Sequence, residues 1–239
     1  MNEDREVSVV TGAGRGIGKA IALCLAHEGH NVAIFSRTER ELRQVQEMIE
    51  VTGVSCIYYR GDVADEKFVN SSVQNVLERY SKVDHLINNA GIGIFKNLVD
   101  SSLEEFRRQI DTNLVGVYLL SKAVLPSMIK RQSGSIINIS SLAGKNSMAG
   151  GTMYSSTKHA LLGLTRSLML EVRQYNIRIA AICPGSVESE FARDSASDPR
   201  STSGILMPED VAEAVVSILK MPARALISEL DLRPANPKK

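Results

Sequence analysis

Short runs of apolar and β-branched residues alternate along the chain with longer segments whose apolar positions recur at helical spacing. Seven runs have the composition of buried strands, and six intervening segments have the period of amphipathic helices. The predicted strands are EVSVVTG, NVAIFSR, SCIYYRGD, VDHLINNAG, SIINISS, IRIAAICPG and RALISELDL. The predicted helices cover residues 16–28, 38–52, 65–80, 103–131, 153–174 and 208–220.

This alternation predicts an α/β fold built on a seven-stranded parallel sheet. Continuous apolar strands joined by helical crossovers require helices on both faces of the sheet, and such crossovers are right-handed. We therefore expect a doubly wound sheet. The 239 residues contain no linker-like stretch or break in composition, which predicts a single domain over residues 1–239.

Small and polar residues follow six of the predicted strands. In doubly wound sheets, ligands bind at the carboxyl ends of the strands. Turn chemistry alone explains any single one of these residues, but six such sites at one edge of a sheet indicate a binding site. In strand order they are TGAGRGIG (11–18), Ser36 with Arg37, Asp62, NNAG (88–91), Ser140 with Ser141, and CPG (183–185).

The stretch TGAGRGIG lies between the first predicted strand and the first predicted helix. The pattern G-x-G-x-x-G fails, because it needs glycine at Ile17 or Lys19; G-x-x-x-G-x-G fits, at Gly12, Gly16 and Gly18. These glycines would allow a sharp turn, a close approach to a pyrophosphate and tight packing of the helix, whose N-terminus attracts phosphate. A tight turn without a ligand is the alternative.

The second predicted strand ends with Ser36 and Arg37 instead of the carboxylate that usually holds the ribose 2′-hydroxyl of NAD. Arg15 in the glycine-rich loop adds a second guanidinium. Two guanidinium groups suit a 2′-phosphate, so we expect NADPH in preference to NADH. Ordinary surface charge is the alternative for both arginines, and Glu39 is a possible but displaced ribose ligand.

Composition excludes several other functions. The 28 Lys and Arg nearly cancel the 27 Asp and Glu, so no broad field attracts nucleic acid or an anionic membrane. The N-terminus is too polar for a signal peptide, and we expect no apolar run near the roughly 18 residues of a membrane span. Cys24, Cys56 and Cys183 lack ligand-like spacing, so we expect no disulfide and no metal. A cytoplasmic protein is predicted.

Tyr154 and Lys158 are separated by four positions at the start of a predicted helix, so they lie on one face about one turn apart. A nearby ammonium stabilises a phenolate, so we expect the pKa of Tyr154 to fall toward the working pH. Such a tyrosine can exchange a proton with a substrate. A Tyr/Lys pair at this spacing is also common on helix surfaces by chance.

Taken together and in order, these motifs resemble those of the short-chain dehydrogenase/reductase family over nearly the whole chain. TGAGRGIG is similar to the family's TGxxxGxG, and NNAG to its sheet-stabilising motif. NISS followed by YSSTK resembles its serine and YxxxK active site, and CPGSV its PGxV segment. The resemblance implies a Rossmann-like fold, a nicotinamide cofactor and hydride transfer to a carbonyl carbon.

The family's catalytic residues map onto four positions. Tyr154 would protonate the carbonyl oxygen, and Lys158 would lower the pKa of that tyrosine and bind the nicotinamide ribose. The family's serine lies thirteen positions before the tyrosine, which selects Ser141 over Ser140; it would orient the carbonyl and stabilise the developing negative charge. Asn113 would hold a water that is joined to the lysine in a proton relay.

The resemblance also implies contacts with the cofactor. Ser189 stands where the family often has threonine. Serine keeps the hydroxyl that would contact the nicotinamide carboxamide but lacks the methyl group of threonine. The histidines His27, His30, His85 and His159 match none of the family's roles. The expected cofactor-binding residues are Gly12, Arg15, Gly16, Ile17, Gly18, Ser36, Arg37, Asp62, Val63, Asn89, Ala90, Gly91, Tyr154, Lys158, Pro184, Gly185, Val187 and Ser189.

The sequence identifies the substrate less clearly than it identifies the cofactor. The short, polar stretch FARDSASDPRSTSGILM lies where the family covers its substrate, which favours an open cleft, although a disordered loop is equally compatible. The ending RALISELDLRPANPKK lacks the glycine-rich segment of many 3-oxoacyl carrier-protein reductases of the family. We therefore expect an NADPH-dependent carbonyl reductase, with a 3-oxoacyl carrier-protein or acyl-CoA reductase, acting on an acyl thioester, as the alternative.

Two helical segments, LVGVYLLSKAVLPSMI and ALLGLTRSLMLEV, are apolar around much of their circumference. Part of that surface should be buried against another subunit, and the resemblance implies a homodimer or homotetramer. Two rival functions are a non-catalytic dinucleotide-binding or scaffold protein and an epimerase or dehydratase. The complete catalytic set counts against the first, and the absence of a large C-terminal domain counts against the second.

Overall fold

The computed structural model describes residues 5–188 and 205–236. A seven-stranded sheet lies at its centre, with strand order β3-β2-β1-β4-β5-β6-β7 and every neighbouring pair parallel. This topology confirms the predicted doubly wound sheet, and the order reverses direction between β1 and β4. The strands are β1 Val7–Thr11, β2 Asn31–Ser36, β3 Cys56–Arg60, β4 His85–Asn88, β5 Gly134–Ile139, β6 Ile177–Pro184 and β7 Glu229–Leu232.

The helices begin and end at residues that suit those positions. Asp65 caps the third helix by accepting hydrogen bonds from two backbone N–H groups, and that helix ends where Ser81 adopts a left-handed conformation. Ser102 and Glu105 form a capping box at the start of the fourth helix. The helices are α1 Gly16–His27, α2 Glu39–Glu50, α3 Glu66–Tyr80, α4 Leu103–Ile110, α5 Gly116–Arg131, α6 Thr152–Val172 and α7 Pro208–Leu219.

A hydrophobic core lies on each face of the sheet because strand side chains alternate between the faces. Val10 and Ile34 belong to the core covered by α1, α2 and α7, whereas Val9 and Phe35 belong to the core covered by α3, α5 and α6. All four side chains are fully buried. Burial on both faces explains why the strands read as continuous apolar runs, and it stabilises the fold by about 2 kcal/mol for each large side chain.

The helix predicted over residues 103–131 is divided by a π-helical turn, Asp111–Val115, between α4 and α5. The expectation that no apolar run suits a membrane span is wrong for this stretch: Leu103–Arg131 has 29 residues and reaches a mean hydropathy of 1.3 over 18 of them. Its apolar residues instead cover the sheet, since Leu120, Val124 and Met128 are buried in the core beside β4 and β5. We assign it as a core helix.

The last strand is shorter than the run RALISELDL predicted, because only Glu229–Leu232 pairs with β6. This strand lies at the edge of the sheet. Its acidic residues are fixed by two cations from elsewhere in the chain: Lys145 lies within salt-bridge distance of Glu229 and Asp231, and Arg166 forms a two-point hydrogen bond with Glu229. The edge strand is therefore tied to the segment that follows β5 and to α6.

Candidate active site

The glycine-rich loop needs its glycines for steric reasons. Gly12 has φ 63° and Gly16 has φ 53°, the left-handed region that favours glycine. A Cβ atom on Gly18 would lie 2.3 Å from the carbonyl oxygen of Gly12 and 2.5 Å from Nδ2 of Asn89. The spacing G-x-x-x-G-x-G therefore builds a tight turn with α1 packed closely against the end of β1.

The N-terminus of α1 is arranged to receive an anion. The N-cap residue, Arg15, makes no side-chain capping bond to the helix, and the first turn contains no acidic residue. Unsatisfied N–H groups and the positive end of the helix dipole therefore lie at the carboxyl edge of the sheet. This is the arrangement that binds a phosphate or a pyrophosphate in dinucleotide-binding proteins.

The NNAG segment fixes the glycine-rich loop. Asn89 donates hydrogen bonds through Nδ2 to the carbonyl oxygens of Thr11 (2.9 Å) and Gly12 (3.4 Å). The hydroxyl of Thr11 in turn accepts from the backbone N–H groups of Asn89 and Ala90, both at 3.0 Å. The Asn89 side chain is thus used within the protein, and contacts of Asn89, Ala90 and Gly91 with a ribose remain a prediction.

The first turn of α2 places two carboxylates near the end of β2, and sequence reasoning missed one of them, Glu41. Glu39, the alternative ribose ligand, is bound by Arg43 at 2.6 Å and lies 3.3 Å from the Tyr58 hydroxyl. Glu41 instead faces the loop: a Cβ atom on Gly14 would be 2.8 Å from its Oε2 and 3.1 Å from the Ser36 hydroxyl. Its position five residues after Ser36 gave no sequence signal.

Arg15 and Arg37, the two arginines predicted to face a 2′-phosphate, are exposed at this same end of the sheet. Past β3, Asp62 is also exposed, and its Oδ1 accepts a hydrogen bond from the backbone N–H of Ala64 at 3.0 Å. Val63 is buried against α5, where a Cβ atom on Gly116 would lie 2.8 Å from its Cγ2. Asp62 and Val63 thus form a hydrogen-bonded turn after β3, and their contact with the cofactor remains a prediction.

Tyr154 and Lys158 lie on one face of α6 and are nearly buried, with 8% and 4% of their surface exposed. The Nζ atom of Lys158 is 5.7 Å from the centre of the Tyr154 ring and donates to the carbonyl oxygen of Ile139 at the end of β5, at 3.0 Å. The Tyr154 phenol faces the Ser141 hydroxyl. The structure therefore brings these three predicted side chains together.

The direction of the pKa shift predicted for Tyr154 is wrong. Burial raises the pKa of Tyr154 from 10.0 to about 12, and the hydrogen bond with Ser141 only partly offsets this effect. Burial also lowers the pKa of Lys158 from 10.5 to about 8. Removal from water disfavours both charged forms, and this desolvation is the largest contribution to both pKa shifts.

Two neighbouring serines have different environments. The Ser140 hydroxyl donates to the backbone carbonyl of Lys158 at 3.4 Å and is buried. Ser141 caps a short 3-10 helix, Leu142–Gly144, by accepting from the N–H of Ala143 at 3.1 Å, and it remains partly accessible. The position beside the Tyr154 phenol thus belongs to Ser141, the serine that the family spacing selects.

Asn113 lies in the π-helical turn and is fully buried. Its Oδ1 accepts from the N–H of Ile92 at 2.8 Å, while its Nδ2 donates to the Ile92 carbonyl at 2.9 Å and to the Thr157 hydroxyl at 3.0 Å. Thr157 in turn donates to the Tyr154 carbonyl. Asn113 therefore positions the segment after NNAG against α6, and π turns of this kind are frequent at functional sites. Its water relay remains a prediction.

Two further residues were not found from the sequence: Phe95, which lies beside the Tyr154 ring, and Gln109, which binds the backbone just before Phe95. The ring of Phe95 is 5.1 Å from that of Tyr154. Gln109 on α4 is fully buried and accepts through Oε1 from the N–H of Ile94 at 3.1 Å. These contacts fix the backbone that precedes Phe95, and so they shape one wall of the cleft. Neither residue belongs to a short local motif, which is why sequence reasoning did not identify them.

The segment after β6 completes the edge of the sheet. Gly185 donates its N–H to the carbonyl of Leu232 at 2.8 Å, directly after Pro184. Val187 is buried and forms an isolated bridge with Leu206. Ser189 and most of the polar stretch predicted to cover the substrate lie outside the described residues.

Comparisons with known proteins agree with this geometry. The family model described as short chain dehydrogenase matches residues 6–200. An uncharacterized oxidoreductase of Thermotoga maritima is 40% identical over 190 residues, covering 80% of this chain and 75% of that protein. The chain belongs to the short-chain dehydrogenase/reductase family, which confirms the resemblance found in the sequence.

Solved structures share the whole fold. An alcohol dehydrogenase from Thermococcus sibiricus, complexed with 5-hydroxy-NADP, aligns with a TM-score of 0.89 at 35% identity, over 99% of this chain and 100% of that chain. An NAD+-bound xylitol dehydrogenase aligns with a TM-score of 0.90 at 28% identity, over 98% and 100% of the two chains. Similar structures therefore bind either NADP or NAD+.

Proposed function

We propose that the protein is an NADPH-dependent carbonyl reductase whose active site is formed by Asn113, Ser141, Tyr154 and Lys158. The observation that supports this most strongly is the convergence of a buried phenol, a hydroxyl and a buried ammonium at the carboxyl edge of the sheet, beside the glycine-rich loop. Binding of a dinucleotide alone would not need a buried, ionisable Tyr/Lys pair, since burying such groups is costly.

The residues present fit a nicotinamide dinucleotide. The open N-terminus of α1 suits its pyrophosphate. At the other end of the cleft, a Cβ atom on Gly91 would lie 3.3 Å from Oδ1 of Asn113 and 3.7 Å from Nζ of Lys158, so glycine keeps space open beside the lysine. Lys158 would hold the nicotinamide ribose, and Pro184, Gly185 and Val187 would border the nicotinamide. When bound, the reduced cofactor supplies the hydride.

Side chains of the protein then stabilise and protonate the carbonyl oxygen of the substrate. Ser141 donates a hydrogen bond to that oxygen and stabilises the negative charge that develops on it. Tyr154 gives its phenolic proton to the same oxygen, and its raised pKa ensures that this proton is present at neutral pH. Lys158, still charged below a pKa of about 8, stabilises the phenolate that remains.

For the cofactor we propose NADPH in preference to NADH. Arg15 and Arg37 would pair with the 2′-phosphate, and Ser36 would donate a hydrogen bond to it. Glu41 beside Gly14 opposes this preference, because a carboxylate close to the phosphate repels it. We propose that the two guanidinium groups outweigh the one carboxylate, so that the preference for NADPH is real but moderate.

The experiment follows NADPH absorbance with a panel of ketones, aldehydes, diketones and 3-oxoacyl thioesters. We expect turnover of simple carbonyls, and Tyr154→Phe should lower kcat at least about a thousandfold. Tyr175→Phe, at a half-buried tyrosine that follows the C-terminal end of α6, is the matched control and should keep full activity. Turnover of thioesters alone would establish the 3-oxoacyl reductase instead. Equal rates for wild type and Tyr154→Phe would contradict the proposed mechanism.

We also propose self-association through α5 and α6, as a homodimer or homotetramer. Tyr118 on α5 and Leu170 on α6 are large apolar side chains with 51% and 57% of their surface exposed. Exposed apolar surface on two helices of this kind favours burial against another copy of the chain. A sedimentation experiment that finds only monomers at micromolar concentration would contradict this proposal.

A further inference from the structure

Three potential metal ligands lie together at the amino edge of the sheet, at the opposite end of the strands from the candidate active site. Glu6 immediately precedes β1, His30 immediately precedes β2, and His85 is the first residue of β4. These strands are neighbours, and in the register of the sheet Ser8 of β1 lies opposite His85. The four residues from His85 to Asn89 place the two sites roughly 13 Å apart along the strand.

The three donor atoms have the spacing of a coordination site. Oε2 of Glu6 is 3.2 Å from Nε2 of His30 and 3.3 Å from Nε2 of His85. All three donor atoms lie within 4.8 Å of one another. Ligands of a tetrahedral Zn2+, with bonds of about 2.1 Å, are separated by about 3.4 Å. The observed distances are therefore those of two edges of a zinc tetrahedron.

His85 provides a second, independent observation. Its ring is buried, with 5% of the residue exposed, and neither of its nitrogens has a hydrogen-bond partner among the described residues. The Nε2 atom lies 3.3 Å from Oε2 of Glu6, which is an ion-pair contact without the geometry of a directed hydrogen bond. A buried polar nitrogen without a hydrogen-bond partner destabilises the folded state. A cation bound at Nε2 would remove part of this cost.

His30 is already oriented as a ligand. Its Nδ1 is 2.8 Å from the hydroxyl of Ser8, which is fully buried. When Nδ1 holds the proton and donates it to that hydroxyl, Nε2 presents its lone pair toward Glu6 and His85. Metal-binding histidines in proteins are usually fixed through their second nitrogen in this manner.

The cationic side chains around this cluster form ion pairs or hydrogen bonds with other groups. Lys82 and Arg131 both pair with Asp84, at 3.2 Å and 2.7 Å. Arg178 donates to the carbonyl oxygens of Leu219 and Met221, at the C-terminus of α7. Asp84 offsets one of the two charges that pair with it, and the carbonyl oxygens weaken the field of Arg178 without neutralising it. The positive field at a bound cation is therefore reduced in part, and the Glu6 carboxylate supplies further compensation.

Space for a further ligand adjoins the cluster. A cavity of about 200 Å3 opens beside it and is lined by Glu6, His85, Ser135, Arg178 and Met221, among others. A volume of this size holds several water molecules. A metal ion bound by the two imidazoles and the carboxylate could therefore complete a tetrahedron with a water from the cavity.

We propose that Glu6, His30 and His85 bind a divalent transition-metal ion, with Zn2+ as the expected ion. Two imidazole nitrogens and one carboxylate oxygen favour zinc over magnesium, which prefers oxygen ligands in an octahedral arrangement. The site joins the starts of three strands, so a bound ion cross-links β1, β2 and β4. It stabilises the fold at a distance from the candidate active site and takes no part in the proposed reaction.

The test is calorimetric titration of Zn2+ into the full chain, expressed without a histidine tag and treated with a chelator. One ion should bind per chain, and Mg2+ should not bind at the same concentration. His30→Asn and His85→Asn should lower the affinity at least about a hundredfold, and Ser8→Ala about tenfold. His27→Asn removes an exposed imidazole at the end of α1 and is the matched control, which should bind like wild type.

A second readout separates the site from nonspecific binding. Because the Glu6 side chain is 55% exposed, Glu6→Gln should fold normally, as circular dichroism would verify, and yet should bind Zn2+ more weakly. Co2+ in place of Zn2+ should give the visible absorption of a tetrahedral ion in wild type and lose it in His85→Asn. Absence of stoichiometric zinc binding, or unchanged affinity in both histidine variants, would overturn the proposal.

Discussion

The two ends of the parallel sheet each hold a group of buried titratable residues, but the two groups differ in how they are satisfied. At the carboxyl edge, Lys158 and Asn113 have hydrogen-bond partners, and glycines keep a cleft open beside them. At the amino edge, neither nitrogen of His85 has a hydrogen-bond partner within the described residues, although Nε2 lies 3.3 Å from the Glu6 carboxylate. Hydrogen bonds thus fix the side chains of the first group, whereas the second group leaves buried imidazole nitrogens without hydrogen bonds.

The difference also concerns where the residues come from. The carboxyl edge receives the residues that directly follow strands, together with a helix that carries Tyr154 and Lys158 one turn apart, so loops and helix starts supply the chemistry. The amino edge receives residues just before strands, which ordinarily serve only stability. Function concentrates at one end of such a sheet, and so an unsatisfied cluster at the other end is informative.

After Tyr154→Phe, the largest effect at the carboxyl edge is expected from Lys158→Met. The variant should lose at least about a hundredfold in kcat, because the phenolate left on Tyr154 then has no neighbouring charge. It should also be more stable than wild type at pH 7. Lowering the pKa of Lys158 from 10.5 to about 8 costs about 3 kcal/mol, and the lost hydrogen bond to Ile139 offsets about 1 kcal/mol of this gain.

The sign of the pH dependence follows from linkage. Between pH 8 and 10.5 the unfolded chain binds a proton at Lys158 that the folded chain has lost, so wild-type stability rises with pH in this window. The advantage of Lys158→Met should therefore be fully present below pH 8 and shrink toward pH 10. Urea unfolding at both pH values measures it, with Lys67→Met at an exposed position as control. A variant less stable at pH 7 would contradict the burial cost.

Alanine substitutions of the two serines should have smaller effects on kcat, and these effects should differ between Ser140 and Ser141. Ser141→Ala removes the hydroxyl beside the Tyr154 phenol and should lower kcat about a hundredfold. Ser140→Ala removes only a long hydrogen bond to the backbone of α6 and should change kcat a few-fold at most. Steady-state kinetics with the best carbonyl substrate would decide. A larger loss in Ser140→Ala would show that the two serines have been assigned in the wrong order.

The smallest effect concerns nucleotide choice. Glu41→Gln removes the carboxylate that lies beside Gly14 and Ser36, and should lower the KM for NADPH about fivefold, since one screened repulsion is worth about 1 kcal/mol. The KM for NADH should not improve. Glu47→Gln, exposed on the same helix, is the control. If the two variants behave alike, Glu41 does not face the 2′-phosphate.

Much of the fold could be predicted from the sequence because its signals are local. Strands such as VSVVT are apolar throughout since both faces are buried, and the glycine spacing at the end of β1 reflects positive φ angles at Gly12 and Gly16. The π turn at Asn113 could not be predicted, because its apolar pattern continues that of the flanking helices. The length of β7 depends on pairing with β6, which is not local either.

The same distinction applies to the sites. Ser141, Tyr154 and Lys158 lie within eighteen residues of one another, so spacing alone relates them. Glu41 and Phe95 reach the cleft only through packing. Glu6, His30 and His85 are far apart in sequence and meet only because β1 lies between β2 and β4, and so no spacing rule predicts a metal there. The pKa of Tyr154 was mispredicted because its burial depends on the tertiary structure.

A crystal structure with bound NADP+ tests the central claim most directly. The pyrophosphate should lie against the N-terminus of α1, and the nicotinamide should lie beside Tyr154, with Nζ of Lys158 about 3 Å from a ribose hydroxyl. A nicotinamide ring located away from Tyr154 and Ser141, at any other part of the molecule, would contradict the proposed active site.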